Sequence, residues 1–366
     1  MDFSGVRSNY PKYKNSFSSE NENYRVLQKT EIKGISEKCD ELPSYDSVIT
    51  IGMGGSVRGS KAVTSLLGSR DHYVARHPEY SEMDSIISRV DNPILHLSSK
   101  SGRTVETIAM FNYLFEKLDT DTEEVVVTTH EDSELATFAK ERDFTLFESS
   151  SRITGRFSVF SYYGMVPSYL CGVDISDMCS VARDGFDSNS ASKRLGIGIS
   201  ESTDSEVLFL GSYSKRLQNF NEWAEQLWSE SLGKQGNGTH ISTGIGPNLQ
   251  HSRLQRLIGG ADNISVVLVM LEEKTENRTS TDYRKTNQTS LEDIMRTSFE
   301  KTRETINKNG VPCIPVTLLR TESSVAELMC AFEIAVIQRG KLRKIETFSQ
   351  DAVEDTKHQI LDDIQE

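Results

Sequence analysis

The chain carries a buried strand and a glycine-rich turn in one stretch, Ser47-Val48-Ile49-Thr50-Ile51-Gly52-Met53-Gly54-Gly55-Ser56. The apolar run over 47–51 is typical of a buried strand, and a helical pattern follows through Ala62 and Leu67. Glycines between a strand and a helix let backbone N–H groups approach an anion at the helix N-terminus. The alternative is a tight turn without a ligand. The spacing also departs from the dinucleotide fingerprint, which has glycine where Val57 stands.

The same alternation of strand and helix continues through both halves of the chain. In the first half we predict strands over 73–75, 94–97, 124–128 and 145–147, helices over 82–89, 104–118 and 133–141, and mainly helix over 155–183. In the second half we predict strands over 207–210, 240–243, 265–271 and 312–318 and helices over 214–232, 248–258, 291–308 and 324–339. Strands that alternate with helices at this spacing lie parallel. The sequence therefore predicts an α/β fold of two three-layer αβα sandwich domains with mainly parallel sheets.

The length of 366 residues suits two domains better than one. The polar stretch 184–204 is the best candidate for their boundary, with one helical turn expected at 195–199. We expect a helical lead-in over 1–45, a first domain over 46–190, a second domain over 191–345 and a helical tail over 346–366. The polar segment 272–289 is predicted to be a loop.

The composition excludes several classes of partner. A net charge of -13 argues against nucleic acid, because a phosphate backbone requires a basic face. The longest strongly apolar run, 266–271, is far shorter than a membrane span. Five cysteines without a C-x-x-C pair argue for reduced thiols rather than disulfides or zinc. Together with a polar beginning that lacks a signal-peptide core, these features predict a cytoplasmic protein.

A second strand-to-helix turn, Ser98-Ser99-Lys100-Ser101-Gly102-Arg103-Thr104, carries hydroxyls and positive charge. The hydroxyls of Ser99, Ser101 and Thr104, with nearby backbone amides, suit a phosphate monoester at the positive end of a helix. Lys100 and Arg103 add the local positive charge that an acidic protein needs in order to bind an anion. The alternative is a helix that these hydroxyls cap without any ligand.

The stretch Trp223-Ala224-Glu225-Gln226-Leu227-Trp228-Ser229-Glu230-Ser231-Leu232-Gly233-Lys234 predicts an amphipathic helix that stops at Gly233. Gln226 and Glu230 lie four residues apart and therefore share one helix face, beside apolar surface from Trp223 and its neighbours. A carboxylate held in this way can act as a general base. Spacing alone favours the alternative of a solvated glutamate.

Arg156, His251 and Lys357 are weaker candidates. Arg156 follows a glycine at a predicted helix start, and its permanent charge suits an enediolate or phosphate oxygen; the alternative is an exposed structural arginine. His251, in Gln250-His251-Ser252, can exchange protons near neutral pH; the alternative is a surface or capping histidine. Lys357 lies in the acidic tail, where an ion-paired surface lysine is the alternative.

The ordered set of motifs resembles phosphoglucose isomerase (glucose-6-phosphate isomerase), in its short prokaryotic or archaeal form with two sugar-isomerase domains. The resemblance runs from about Ile49 to Lys357. It rests on Gly-Gly-Ser, Ser-Lys-Ser-Gly-x-Thr-x-Glu-Thr, Gly-Arg-Phe-Ser, Glu-Ser-x-Gly-Lys, Gln-His-Ser and Gln-x-x-Val-Glu-x-x-Lys. Each motif is weak alone, whereas the ordered set is highly specific.

The resemblance implies a role for each candidate. Glu230 would move a proton between C2 and C1 through a cis-enediol, Arg156 would stabilise the enediolate, and His251 and Lys357 would assist ring opening and closing. The phosphate would be held by Ser56, Ser99, Lys100, Ser101 and Thr104, and the sugar would be lined by Gly55 and Gln226. No cofactor or metal ion is implied. In this family the histidine comes from the partner subunit, so an obligate homodimer with shared active sites is implied.

The chain also departs from the family pattern. Arg103 stands where a small hydroxyl residue is usual, and Asp351 and Ala352 replace the more usual Pro-Gly. The expected reaction is the interconversion of glucose 6-phosphate and fructose 6-phosphate. Two alternatives stay open: a dual isomerase that also accepts mannose 6-phosphate, and a non-catalytic regulator that binds sugar phosphates. A regulator would need the phosphate loop but not Glu230, His251 and Lys357.

Overall fold

The computed structural model describes residues 34–186, 190–202, 205–260, 262–273 and 290–349. The chain forms two compact units. The described residues of the first are 34–183 and 348–349, and those of the second lie between 184 and 347. Most of the predicted lead-in, residues 274–289 of the polar segment, and the tail from 350 onward with Lys357 lie outside the described residues. The domain boundaries proposed from the sequence stay predictions.

The first unit is built on a five-stranded parallel sheet. Its strands are β1 (Ser47–Ile51), β2 (Asp71–Ala75), β3 (Pro93–Ser98), β4 (Val125–His130) and β5 (Thr145–Ser149), in the order β2-β1-β3-β4-β5. Its helices are α1 (Ile35–Cys39), α2 (Gly55–Leu67), α3 (Tyr80–Ile87), α4 (Val105–Lys117), α5 (Glu134–Glu141) and α6 (Tyr162–Leu170). Helix α7 (Ile175–Gly185) leads into the second unit.

Side chains alternate between the two faces of this sheet because successive residues of a strand point in opposite directions. One face is apolar: Ile49, Leu95 and Val127 pack with Phe111 and Leu114 of α4 in one buried cluster. The interleaved residues on the opposite face, next to α2, include buried threonines and histidines, listed here as Thr50, His72, His96 and Thr128. Layers of helix on both faces give the predicted three-layer arrangement.

The strand order of the first sheet reverses direction between β1 and β3. In open parallel sheets the crevice beyond the carboxyl ends of the strands at such a switch point is where ligands bind. The two turns singled out in the sequence, 52–56 and 98–104, follow β1 and β3. The fold therefore places both turns where open parallel sheets commonly bind ligands.

The second unit contains a four-stranded parallel sheet. Its strands are β6 (Val207–Tyr213), β7 (His240–Ile245), β8 (Ile264–Glu272) and β9 (Cys313–Leu319), in the order β7-β6-β8-β9. Its helices are α8 (Ala191–Ser202), α9 (Gln218–Leu232), α10 (Leu249–Ser252), α11 (Leu254–Gly259), α12 (Leu291–Lys308) and α13 (Glu322–Arg343). This order repeats that of the first four strands of the other sheet. The fold class predicted from the sequence is confirmed.

Two local predictions are wrong. The stretch expected to hold one helical turn forms the 12-residue helix α8, whose Leu195 is buried. Polar residues interrupt the helical repeat of apolar residues in the sequence of α8. In the structure, Gly196 lies so close to α13 that a Cβ there would be 2.6 Å from the Ala331 carbonyl oxygen. The helix expected over 248–258 breaks at Arg253 (φ -123°) into α10 and α11.

Within the described residues, none of the helices combines the length and apolar character that a membrane span requires. The same residues contain no group of three or more His, Cys, Asp or Glu side chains arranged to hold a metal ion. None of the five cysteines forms a disulfide bond, and burial raises the pKa of Cys39, Cys171, Cys179 and Cys313 to about 12.

Candidate active site

The turns after β1 and β3 approach each other closely. A Cβ on Gly52 would lie 2.4 Å from the carbonyl oxygen of Ser98, so only glycine fits at this position. The hydroxyl of Ser98 donates a hydrogen bond of 3.0 Å to the carbonyl oxygen of Ser56 in the first turn of α2. At the switch point of the first sheet, the turns after β1 and β3 are therefore in direct contact and hydrogen-bonded to each other.

Both helices that begin at this switch point lack a side-chain N-cap from any described residue: Gly54 precedes α2 and Thr104 precedes α4. The first N–H groups of a helix require partners and carry partial positive charge. The hydroxyls of Ser99 and Ser101 accept bonds of 3.2 Å from the backbone N–H groups of Gly102 and Arg103, and so shape the loop itself. Thr104 does not cap α4, contrary to the ligand-free alternative. The edge suits a phosphate.

Lys100 and Arg103 differ in their surroundings. Arg103 Nη2 lies 2.7 Å from Glu134 Oε1, and both side chains are exposed, so its charge is already paired and contributes little to stability. The carbonyl of Lys100 accepts a hydrogen bond of 3.4 Å from the backbone N–H of His130. Burial, and then the positive charge of Lys100, lower the pKa of His130 to about 4. Lys100 therefore acts as the local positive charge beside the loop.

Arg156 belongs to a single 3₁₀ turn, Gly155–Phe157, that packs against the first turn of α2. A Cβ on Gly55 would lie 2.4 Å from the carbonyl carbon of Gly155, so the two backbones touch. Arg156 is buried, 1% exposed, and its Nη2 donates a hydrogen bond of 2.9 Å to the carbonyl oxygen of Ser349. The alternative of an exposed structural arginine is therefore wrong. A buried guanidinium lies beside the proposed phosphate loop.

Thr107 is a candidate that the residue assignments from sequence left out. Its hydroxyl is buried and has no hydrogen-bond partner within the part of the chain that the structure describes. It lies three residues after Thr104, on the same face of the first turn of α4. That spacing, already present in the quoted motif, is the signal that could have identified it.

In the second unit, α9 has the amphipathic structure that was predicted. Trp223, Leu227 and Trp228 are buried, and the helix ends at Leu232 with Gly233 as its C-cap. On the adjacent face, Gln226 Nε2 donates a hydrogen bond of 2.7 Å to Oε1 of the half-buried Glu230. The prediction that Gln226 and Glu230 share one helix face is confirmed.

Glu230 and His251 lie near opposite ends of strand β7 in the second sheet. Helix α9 crosses from β6 to the parallel strand β7, so its end lies near the beginning of β7, where Trp228 Nε1 donates to the carbonyl oxygen of Thr239 at 3.2 Å. Glu230 follows two residues later. His251 instead follows the other end of β7, whose six residues span about 20 Å. One chain's Glu230 and His251 are therefore not adjacent.

His251 is exposed on the four-residue helix α10, next to a firmly held neighbour. Gln250 Nε2 donates hydrogen bonds to Thr302 Oγ1 at 2.7 Å and to the carbonyl oxygen of Ser298 at 3.1 Å. The Tyr213 hydroxyl donates to the same Thr302 oxygen at 2.7 Å. The backbone that carries His251 is thus fixed, while its imidazole faces outward.

The structure brings the candidates into three groups. The phosphate candidates and Arg156 share the switch point of the first sheet; Gln226 and Glu230 share α9; and His251 lies on α10. Lys357 lies outside the described residues. The arrangement offers an anion-binding edge, a held carboxylate and an exposed imidazole.

Comparison of the sequence with known proteins finds relatives among archaeal enzymes. The chain is 30% identical over 350 residues to a protein of Haloarcula marismortui named as a probable glucose-6-phosphate isomerase, and the match covers 90% of this chain and 80% of that protein. It is 29% identical over 342 residues to the glucose-6-phosphate isomerase of Methanocaldococcus jannaschii, covering 88% and 85%. No family model matches the chain.

Solved structures share the fold. A hypothetical protein from Thermus thermophilus matches with a TM-score of 0.84 at 22% identity, over 99% of this chain and 94% of the other. A glucose-6-phosphate isomerase from Chlamydia trachomatis matches with a TM-score of 0.72 at 17% identity, over 100% of this chain and 75% of the other. These likenesses are evidence of fold.

Proposed function

Because the chain belongs to the glucose-6-phosphate isomerase family, we propose that it interconverts glucose 6-phosphate and fructose 6-phosphate through a cis-enediol without a metal ion. One observation carries the proposal: at a single switch point, two helix N-termini without side-chain caps from described residues meet hydroxyl-bearing turns and the buried Arg156. This edge can hold an anionic group and place a permanent positive charge beside it.

Phosphate binding is assigned to the switch point. The phosphate would be surrounded by Ser56, Ser99, Lys100, Ser101 and Thr104, with helix dipoles and Lys100 supplying positive potential. Gly55 would line the sugar. Such a remote, non-reacting group supplies binding energy that fixes the sugar for reaction. The positive charge of Lys100, which contributes to the lowered pKa of His130, supports this assignment. An acidic protein needs such a local positive charge in order to bind an anion.

Proton transfer is assigned to Glu230. Its carboxylate would remove the proton from C2 of the aldose, or from C1 of the ketose, and return it to the neighbouring carbon. Gln226 would hold the carboxylate in one orientation and line the sugar, which their hydrogen bond supports. Arg156 would stabilise the oxyanion of the enediolate, because a guanidinium keeps its charge when buried.

Ring opening and closing are assigned to His251 and Lys357. Since Glu230 and His251 of one chain lie near opposite ends of strand β7, we propose that His251 serves the partner's substrate in a homodimer. The outward-facing imidazole on a fixed backbone supports this arrangement.

The test is a coupled assay that detects glucose 6-phosphate formed from fructose 6-phosphate, run with a chelator such as EDTA. We expect activity to persist after dialysis against the chelator, and to be absent from the Glu230→Gln protein prepared in parallel. Mannose 6-phosphate offered as a second substrate separates a single from a dual isomerase. A protein that binds fructose 6-phosphate without forming any glucose 6-phosphate would be a regulator, and the proposal would be wrong.

A further inference from the structure

Two buried serines outside the proposed substrate-binding set bond to the first turn of α2. Ser98 Oγ, at the end of β3, donates to the carbonyl oxygen of Ser56 at 3.0 Å. Ser158 Oγ lies 3.3 Å from the carbonyl oxygen of Gly55 and 2.6 Å from that of Gly155. Ser98 is 0% and Ser158 2% exposed, so neither hydroxyl exchanges these partners for bulk water.

These bonds act on the two peptide units that flank Ser56, a residue assigned to the phosphate. A peptide unit is planar, so the direction of its carbonyl fixes the direction of its N–H. The unit that contains the Gly55 carbonyl also contains the N–H of Ser56, and Ser158 contacts that carbonyl. Ser98 bonds to the carbonyl of the next unit, which joins Ser56 to Val57 and whose N–H donates to the Gly54 carbonyl oxygen at 3.3 Å. Holding both carbonyls therefore fixes the backbone on either side of Ser56 and sets the direction of its N–H.

The two serines approach α2 from different loops. Ser98 belongs to the end of β3, which Gly52 allows to lie against the turn after β1. Ser158 directly follows the Gly155–Phe157 turn that carries Arg156. The first turn of α2 is thus held from both neighbours, independently of any side-chain cap.

We infer that Ser98 and Ser158 are positioning residues for the substrate phosphate: their hydroxyls hold the backbone on either side of Ser56 and so set the affinity of the switch point for an anion. The inference rests on the proposed function, because it takes the phosphate to bind there. It adds two residues that do not themselves touch the substrate.

The test compares Ser98→Ala and Ser158→Ala with Ser168→Ala in the full-length protein. Ser168 is a matched control: it is 0% exposed and its hydroxyl donates a hydrogen bond of 2.7 Å to the Gly164 carbonyl oxygen, within α6. For each positioning variant we expect KM for fructose 6-phosphate and the inhibition constant of inorganic phosphate to rise about five- to tenfold, as for one lost hydrogen bond, with kcat within about twofold. Ser168→Ala should change neither constant.

If KM for fructose 6-phosphate and the inhibition constant of inorganic phosphate are the same in the positioning variants as in Ser168→Ala, the inference is wrong. If one positioning variant does not fold, the other decides, because each serine holds its own peptide unit. Ser101→Ala and Thr104→Ala serve as references for the proposed function. If these two variants weaken phosphate inhibition and the positioning variants do not, only the inference fails. If none of the four weakens it, the phosphate assignment itself is wrong.

Discussion

Gln226 Nε2 donates a hydrogen bond of 2.7 Å to Oε1 of Glu230, one helical turn further along α9. The other end of the same amide, Gln226 Oε1, is buried without a hydrogen-bond partner among the described residues. Buried polar atoms are rarely left unpaired unless a ligand or water supplies the partner. A hydroxyl of the sugar is a suitable partner, so one amide would orient both the carboxylate and the substrate.

Replacement of Glu230 by glutamine should remove turnover and spare binding. Glutamine keeps the size of the side chain but cannot accept a proton, so we expect kcat to fall at least about a thousandfold, within the range for loss of a general base. The Kd of fructose 6-phosphate, measured by calorimetry, should change less than about threefold, since the binding energy is assigned to the phosphate. Glu225→Gln, at an exposed position on the same helix, is the control. Wild-type turnover by Glu230→Gln would exclude this base.

Mixing two inactive variants should restore activity if the active sites are shared. Random exchange of Glu230→Gln and His251→Ala subunits makes about half of the dimers mixed, and in an isologous dimer one site of each mixed dimer would carry neither substitution. We therefore expect about a quarter of wild-type activity from an equimolar mixture after subunit exchange. Activity no higher than that of the separate variants, with exchange verified by a size tag, would place both residues in one chain's site.

The positions of the strands and most helices could be predicted because their side chains follow simple periods. Strand Ser47–Ile51 and helix Leu291–Lys308 have the predicted limits. The polar segment before β6 was harder, because α8 uses Gly196 for close contact with α13 and so shows no continuous apolar stripe. Contacts of this kind join residues far apart in sequence, and local patterns do not report them.

The residue types of the candidate site could be predicted from the sequence, whereas their arrangement in space could be predicted only in part. Spacing predicted that Gln226 and Glu230 share a face, since i and i+4 positions always do. Spacing could not reveal that Arg156 is buried, because its surroundings include Ser349, 193 residues later in the chain. Nor could spacing place Glu230 and His251 near opposite ends of strand β7, because that placement depends on the direction of the strand.

Acid should destabilise the first unit through a buried polar row. His72 Nε2 lies 2.8 Å from Thr50 Oγ1, Thr50 Oγ1 lies 3.2 Å from His96 Nδ1, and His96 Nε2 lies 2.9 Å from Thr128 Oγ1. Burial lowers the pKa of His96 from 6.5 to about 3. The pKa of His72 is also well below its usual value, chiefly through burial and then through Lys61 and His96. Both imidazoles are therefore neutral in the folded protein.

The sign of the effect follows from proton binding. Below pH 6.5 the unfolded chain protonates these histidines and the folded chain does not, so stability falls as the pH decreases from 6.5 toward 3. Each histidine contributes up to about 1.4 kcal/mol per pH unit. In urea denaturation, we expect the unfolding free energy of His96→Gln to depend less steeply on pH between 6.5 and 5. The slope should be smaller than in the wild type by up to about 1.4 kcal/mol per pH unit. His77→Gln, at an exposed site, should keep the wild-type slope. An unchanged slope in His96→Gln would contradict the prediction.

The contact between Gly55 and Gly155 should tolerate a methyl group on one side only. On Gly55 a Cβ would lie 2.4 Å from the Gly155 carbonyl carbon and 2.5 Å from the Arg156 nitrogen, both backbone atoms that cannot move without displacing the turn. On Gly155 the nearest atom to a Cβ is 3.7 Å away, an ordinary contact. Gly55→Ala should therefore cost about 1–3 kcal/mol of unfolding free energy and raise KM, whereas Gly155→Ala should stay within about 0.5 kcal/mol of wild type. Thermal unfolding and steady-state kinetics of both variants test this prediction. Similar unfolding free energies and KM values for the two variants would mean that the Gly55 and Gly155 backbones do not touch.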